Sequence, residues 1–367
     1  MTKCIKHDRI QSMLTISSEL SKRITVMRVV LLVLVIFVHN SVSVINFSSG
    51  TVSYAVPLFV DKIRILFTSI FGNIAVPMFF FLSGLLHFTK KRSYWLTLKK
   101  KVKTLLIPYL LWNFLLIVFY LIGQHLPFSQ GLFGNAMNDF SRFTWIDWLD
   151  CFVGKFTVRA PYPILVPMWF IRDLMIVNLL YPIIEKLIDK LPLSSLLVML
   201  FLWLMGIDLT IVSPVALLFF SLGYYVVKHP NWLKVIDRVN CVDILPIYVL
   251  GCILQLAGYY QWPLSSSCNL FLGCLIVFKL SLPLVKSAKT VANFTFLNQY
   301  NFWIFALHST VLAILQKLYV KFLPVNGYYM LLEYFLLVAV TIIICLISGI
   351  VCKKMLPRIF KILTGGR

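Results

Sequence analysis

The chain has 367 residues, of which 60% are hydrophobic, 15% aromatic and only 13% charged, and its mean hydropathy is +0.89. That is too apolar for a soluble globular domain, and the continuous apolar runs exclude a membrane β-barrel, whose strands alternate. The net charge of +21 invites a nucleic-acid reading, but its placement between apolar runs argues against one.

The first 23 residues are polar and basic and carry no cleavable signal, because the apolar run that follows is too long and is not followed by small residues. Ten membrane spans are expected, at about 24–46, 66–88, 104–123, 166–187, 194–210, 213–228, 242–260, 265–285, 300–318 and 327–352. The fold class is therefore all-α, a polytopic membrane helix bundle. Its parts are an N-terminal segment (1–23), a transmembrane domain (24–352) and a basic tail (353–367). With the N-terminus inside, most of the 34 lysines and arginines fall on the inner side, and "TKKRSYWLTLKKKVK" (89–103) is the densest stretch. This asymmetry puts both termini in the cytoplasm, with the lipid bilayer and its anionic headgroups as the partner of the charge.

The first span, "MRVVLLVLVIFVHN" (27–40), holds two residues that lipid tolerates poorly, Arg28 and His39. Eleven residues along an α-helix turn through about 1,100°, so the two side chains lie about 20° apart and roughly 16 Å along the axis. An intramembrane ionisable residue faces a bundle interior or an aqueous cavity, and a pair on one face points to one shared cavity. The guanidinium fork suits phosphate at its mouth, and the imidazole suits proton transfer at its depth. Each has a plainer reading alone: Arg28 as a snorkelling positive-inside residue, His39 as a hydrogen-bonded core histidine.

Further along, Ser83-Gly84 lacks the strand–turn–helix setting of a nucleophile elbow and reads as a close-packing point between helices. Pro108 is expected to end or kink the start of the third span. The connection from about 124 to 165 carries Trp145, Asp147, Trp148, Asp150 and Arg159 and is expected to hold a short amphipathic helix at the interface, as an anchor or a sugar-stacking surface. Arg172 and Asp173 follow Trp169 near the outer end of the fourth span. Adjacent positions on a helix point to different faces, so the two need not pair with each other. His308 is a second intramembrane histidine, which either shuttles a proton or bonds a backbone carbonyl. Glu333 is a lone acid read as the partner of a cavity cation. His87 and His229 sit at inner helix ends and are read as solvated. The cysteines show no metal-ligand spacing, no metal is expected, and one disulfide is open between Cys151 and Cys268.

Five stretches resemble, in order, the signatures of the acyltransferase-3 family of integral-membrane acyltransferases. "RVVLLVLVIFVH" (28–39) looks like its Arg-x10-His helix, and "AVPMFFFLSGLL" (75–86) is similar to its second-helix signature. "KKKVKTLLIPYLLWN" (99–113) resembles its basic loop leading into Ile-Pro-Tyr. "PMWFIRDLMIVNLLYPII" (167–184) resembles its Trp-Phe-x-x-x-Leu segment, and "FWIFALHSTVL" (302–312) its late histidine helix. The resemblance implies O-acyl transfer, most often of acetyl, from acyl-CoA as co-substrate to a carbohydrate acceptor, in a bacterial inner (plasma) membrane. Carried onto this sequence, it implies donor phosphates at Arg28, Lys100 and Lys103 and catalysis at His39, as base or transient acyl carrier, together with Arg28. Trp169, Arg172, Asp173 and His308 are read as orienting the acceptor or the acyl carbonyl, with the alternative that Arg172 and Asp173 each pair with a neighbouring helix and fix the bundle. The family often has Arg-x-x-Arg where this chain has Lys100 and Lys103, which keeps the charge and loses bidentate geometry. The esterase-like domain fused to some members is not expected after the tenth span. From another class, a transporter or flippase for a lipid-linked glycan uses intramembrane Arg, His and Asp equally well, although no inverted repeat is visible.

Overall fold

Apolar segments that enter lipid must satisfy their backbone polar groups internally, which leaves helices as the form these runs can take. The computed structural model describes residues 14–41, 43–47, 50–90, 92–126, 139–157, 161–258 and 263–366 and is a polytopic helical bundle. Each of the ten expected spans overlaps a helix for at least part of its length, but ten crossings are not borne out. Six helices among the described residues are long and apolar enough to cross a membrane. A seventh is gained if the pair Asn231–Arg238 and Cys241–Leu256, bent by 79°, counts as one span.

Helix α1 (Ser18–Val38) starts six residues earlier than the apolar run, because the Ser17 hydroxyl accepts from the Leu20 amide and caps it. It also stops earlier than expected. His39 is its C-cap, and residues expected to continue the span instead enter an antiparallel hairpin, β1 (Val44–Phe47) with β2 (Gly50–Ser53). The β-branched Val44 and Ile45 favour a strand there over more helix.

The second crossing is one helical rod, Leu58–Phe88. It consists of α2 (Leu58–Ile65), a π-turn (Leu66–Phe71), a short 3₁₀ turn and α3 (Ala75–Phe88). The next rod, Tyr94–His125, joins α4 (Tyr94–Lys101) to α5 (Ile107–His125) through a π-turn at Val102–Leu106. Pro108 therefore does not end this helix. The widened turn just before it absorbs the missing N–H that would break a regular ladder.

The remaining elements are α6 (Trp145–Val153), α7 (Trp169–Lys190), α8 (Pro192–Leu204), α9 (Pro214–Lys228), α10 (Asn231–Arg238), α11 (Cys241–Leu256), α12 (Pro263–Leu284) and α13 (Ala288–Asn298). Then come α14 (Asn301–Phe322), α15 (Gly327–Met355) and α16 (Pro357–Leu363). α1 is the central post and touches α3, α12, α13, α14 and α15. Arg23 pins it: its guanidinium grips both Asp237 oxygens at 2.9 Å and also donates to Ser281 and the Phe278 carbonyl.

Ser83-Gly84 is a packing point, as its small side chains suggest. α3 and α9 cross so closely that a Cβ on Gly84 would lie 2.3 Å from the Phe220 carbonyl oxygen, and one on Gly223 2.6 Å from the Leu85 nitrogen. The C-terminal stretch is folded onto the bundle. The Leu363 carbonyl accepts from the Trp112 indole at 3.0 Å, and Phe360 stacks on Trp303. Among the described residues every cysteine is a free thiol; Cys151 is buried and Cys268 exposed, so the pair is not bridged.

The α6 segment bears out the short helix expected in the long connection. A capping box between Thr144 and Asp147 starts it, and Gly154, with φ +65°, ends it. Trp148 stacks on Phe140, while Trp145 stays 75% exposed. Arg159 lies outside the described residues. Asp150 is buried below the helix. Burial pushes its carboxyl up, but the Thr157 hydroxyl and the amides of Phe156, Lys155 and Thr157 outweigh that and hold it below the usual carboxylate range.

Candidate functional site

The basic end of the bundle opens into a cavity of about 500 Å³ lined, among the described residues, by five cations, Arg28, Lys90, Arg92, Lys100 and Lys101, and by no carboxylate. The reason lies in helix periodicity. On the Tyr94–His125 rod, Thr97, Lys100, Lys101, Thr104 and Leu105 all face this cavity, which is the i, i+3, i+4, i+7, i+8 stripe of one helical face. Lys103 is one position short of Thr104, turned away by about 100°, and is exposed outside the cavity. Of the expected pair, Lys100 lines the cavity and Lys103 does not, while the neighbouring Lys101 does. Lys90 and Arg92, which sequence reasoning passed over, complete the rim from the loop after α3.

Arg28 sits on the cavity wall, half-buried, and its side chain has no hydrogen bond or ion pair among the described residues. Asn301 at the start of α14 donates to the Arg28 carbonyl at 3.1 Å and fixes the two helices side by side. Leu32, one turn on from Arg28, also faces the cavity. His87 faces it too and is half-buried between Tyr181 and Phe220, with ring centroids 4.5 and 5.6 Å away, rather than solvated as its helix-end position suggested. His229 is likewise half-buried, against Tyr225.

His39 does not share that cavity. It lines a second one of about 340 Å³ at the hairpin end, together with Ser41, Asn46, Tyr120, Ser309, Thr310 and Lys317. The common face of Arg28 and His39 therefore leads to two cavities, one at each end of α1, rather than to one. Between them stand Phe170 and Phe305, with ring centroids 6.1 Å apart, which close the deep end of the cationic cavity. Behind Phe305 lies His308, fully buried, with its ring 6.0 Å from Phe305 and 5.2 Å from His39. The structure thus brings the two intramembrane histidines together across this partition. Spacing alone could not show this, since His39 and His308 lie on helices at opposite ends of the chain.

The hairpin-end cavity is walled by a tied polar cluster. Gln316 donates to the Asn40 side-chain oxygen and to the Ser41 carbonyl, both at 2.8 Å, and Asn40 donates to the Tyr334 carbonyl at 2.8 Å. These bonds hold the chain where it leaves α1, and with it His39.

Arg172 and Asp173 are placed elsewhere and do pair. The Arg172 Nε and Nη2 both donate to Asp173 Oδ1 at 3.0 Å. Its Nη1 donates to the carbonyls of Val153, Gly154 and Pro161, and Asp173 Oδ2 accepts from the Ser213 amide at 2.8 Å. The long arginine stem spans the angle between neighbouring helix positions. The cluster clamps the α6 segment and the start of α9 onto α7, and neither residue lines either cavity. Trp169, half-buried with its ring 6.5 Å from Phe80, lines neither cavity as well. Glu333, read as a partner for a cation, is fully buried, and neither carboxylate oxygen has a hydrogen-bond partner among the described residues. No group of residues able to hold a metal ion occurs among the described residues.

Comparison with known proteins completes the picture. A family model described as an acyltransferase domain matches residues 21–350. The succinoglycan biosynthesis protein ExoH of Rhizobium meliloti (strain 1021) is 27% identical over 365 residues, covering 95% of this chain and 93% of that protein. No solved structure matches.

Proposed function

This chain belongs to the acyltransferase-3 family, and we propose that it moves an acyl group, acetyl from acetyl-CoA in the simplest case, to a hydroxyl of a cell-surface or lipid-linked carbohydrate. It is a multi-pass membrane acyltransferase. The observation that carries the rest is the cavity of five cations without a carboxylate, whose deep end stops one aromatic layer short of the His39–His308 contact. Phosphates are the natural ligand of such a rim, with Arg28 offering a charged fork and the lysines point charges. The role of the R. meliloti relative in succinoglycan biosynthesis supports a polysaccharide acceptor, and the hydroxyl- and amide-lined hairpin-end cavity suits one.

In this reading the nucleotide phosphates lie at the basic end, taken to be cytoplasmic, and the pantetheine arm runs past Leu32 towards Phe305. A ring nitrogen of His39 takes the proton of the acceptor hydroxyl. The hydroxyl oxygen then bonds to the thioester carbonyl carbon, the C–S bond breaks, and the CoA thiolate leaves and takes the proton back from the imidazolium. The products are the ester and free CoA. A bacterial inner membrane is the proposed location, with the acceptor entering from the hairpin end.

The test is to express the wild type and His39→Ala in a host lacking its own copy and to measure acyl mass on envelope glycans by mass spectrometry. Added mass with the wild type alone supports both the reaction and His39. Added mass with both removes His39 from the chemistry. If neither adds any acyl mass at normal expression, the enzyme reading fails and glycan movement without acyl-CoA becomes the better account.

A further inference from the structure

Within the proposed reaction, on which this inference rests, we infer that His308 is the positioning residue that fixes the tautomer and orientation of His39. His308 Nδ1 lies 2.7 Å from the Phe305 carbonyl oxygen. A carbonyl only accepts, so Nδ1 carries the hydrogen, and in the neutral ring Nε2 is a bare lone pair. That Nε2 is buried and has no hydrogen-bond partner among the described residues. A buried acceptor without a donor is costly and rare, so it calls for a donor in the working state.

The ring beside it is His39, with centroids 5.2 Å apart and planes at 56°. His39 caps the end of α1, where its side chain is less confined than inside a helix, and a rotation about its side-chain bonds brings one ring N–H onto His308 Nε2. The other His39 nitrogen then carries the lone pair and faces the hairpin-end cavity, where the acceptor hydroxyl sits in the proposed reaction. The same contact stabilises the imidazolium once His39 has taken the proton, because Nε2 accepts from a charged donor. His308 touches no reacting atom in this arrangement. The other titratable side chains that line this cavity with His39 are Tyr120 of α5 and Lys317 of α14.

Two substitutions separate this role from a structural one. His308→Asn keeps a donor near the Nδ1 position for the Phe305 carbonyl and removes the acceptor at Nε2. His308→Gln places an amide oxygen near the Nε2 position. The assay uses detergent-purified full-length protein, labelled acetyl-CoA, and envelope polysaccharide from a host strain deleted for the gene. Melting temperature is read for every variant.

The expected result for His308→Asn is a melting temperature near that of the wild type, kcat lower by about ten- to a hundredfold, an unchanged KM for acetyl-CoA, and an acid limb of the kcat–pH profile moved to lower pH. His308→Gln recovers much of the lost rate. Wild-type kcat and pH profile in His308→Asn overturn the inference. So do equal losses in both variants with the acid limb unmoved, which mark a packing role. If the Asn variant does not fold, the Gln variant decides alone, since an amide accepts less strongly than imidazole: an acid limb moved to lower pH supports the inference, and an unmoved one overturns it. Activity retained by His39→Ala, or none in the wild type, instead overturns the proposed reaction itself.

Discussion

Replacing Arg172 by Met tests whether this buried cation serves the chemistry or the scaffold. Arg172 is 8% exposed and Asp173 not at all. Removing the guanidinium breaks the two 3.0 Å bonds to Asp173 Oδ1 and leaves that carboxylate buried beside a single remaining donor, the Ser213 amide. Loss of one partner from a buried pair costs about 3–5 kcal/mol. The carbonyls of Val153, Gly154 and Pro161 lose their shared donor as well, adding up to about 1–3 kcal/mol for each one that water does not reach.

Much of that cost is the stranded charge, which gives the argument a second handle. Adding Asp173→Asn to Arg172→Met removes the charge while keeping an acceptor for the Ser213 amide. The double variant is therefore expected to be more stable than Arg172→Met alone, a sign reversal that independent sites do not show. The assay is thermal unfolding in one fixed detergent, followed by size-exclusion fluorescence, for the four proteins of the cycle. Arg172→Met melting with the wild type while losing acyl transfer would refute the scaffold assignment and return Arg172 to the reaction.

Three further outcomes are expected. Arg28→Ala should raise the KM for acetyl-CoA about tenfold or more, as loss of a charged hydrogen bond of about 1.5–3 kcal/mol implies, whereas Lys103→Ala should leave it unchanged; equal effects would show that the cavity rim is misassigned. Gly84→Ala should lower the melting temperature, at a cost of about 1–3 kcal/mol, because the added Cβ meets the Phe220 backbone at 2.3 Å rather than a side chain that can move. The folded carboxyl of Asp150 is held below its ordinary value of 3.8, so its contribution to stability is complete above that pH and is lost as pH falls through the lowered value. At pH 7 Asp150→Asn should speed hydrogen exchange at the amides of Lys155, Phe156 and Thr157; unchanged exchange would mean those bonds do not hold the loop.

The helices were readable because apolar runs in lipid have one backbone solution, and the placing of Arg28 and His39 on cavity walls because intramembrane ionisable groups avoid lipid. Three things were not. The end of α1 at Val38 was hidden because "SVSVINF" is apolar enough to extend a span. Lys101 faces the cavity where motif spacing points to Lys103, because the helical stripe Thr97–Lys100–Lys101–Thr104 sets which side chains face it. The pairing of Arg172 with Asp173 was missed because helix geometry fixes where Cβ points and not where a long arginine ends. The contact of His39 with His308 is of another kind: it is tertiary, and no local pattern carries it.

The partition between the two cavities bears on how a thioester is handled. An enzyme that binds an activated acyl group must keep water from it until the acceptor arrives. In the proposed reaction the cationic cavity ends at Phe170 and Phe305, so a thioester held there would lie against apolar rings rather than in the hydroxyl-lined cavity beyond. To reach His39 it has to displace one of them. Phe170 is packed on Phe80, with ring centroids 4.6 Å apart, and is buried; Phe305 is only partly buried. Phe305 is therefore the ring that moves at lower cost. Its carbonyl, which holds His308 Nδ1, belongs to the helix backbone and stays in place when the ring turns. The side chain that blocks the path and the atom that orients His308 thus belong to one residue but to separable parts of it, so in the proposed reaction the way to His39 opens without disturbing the histidine pair.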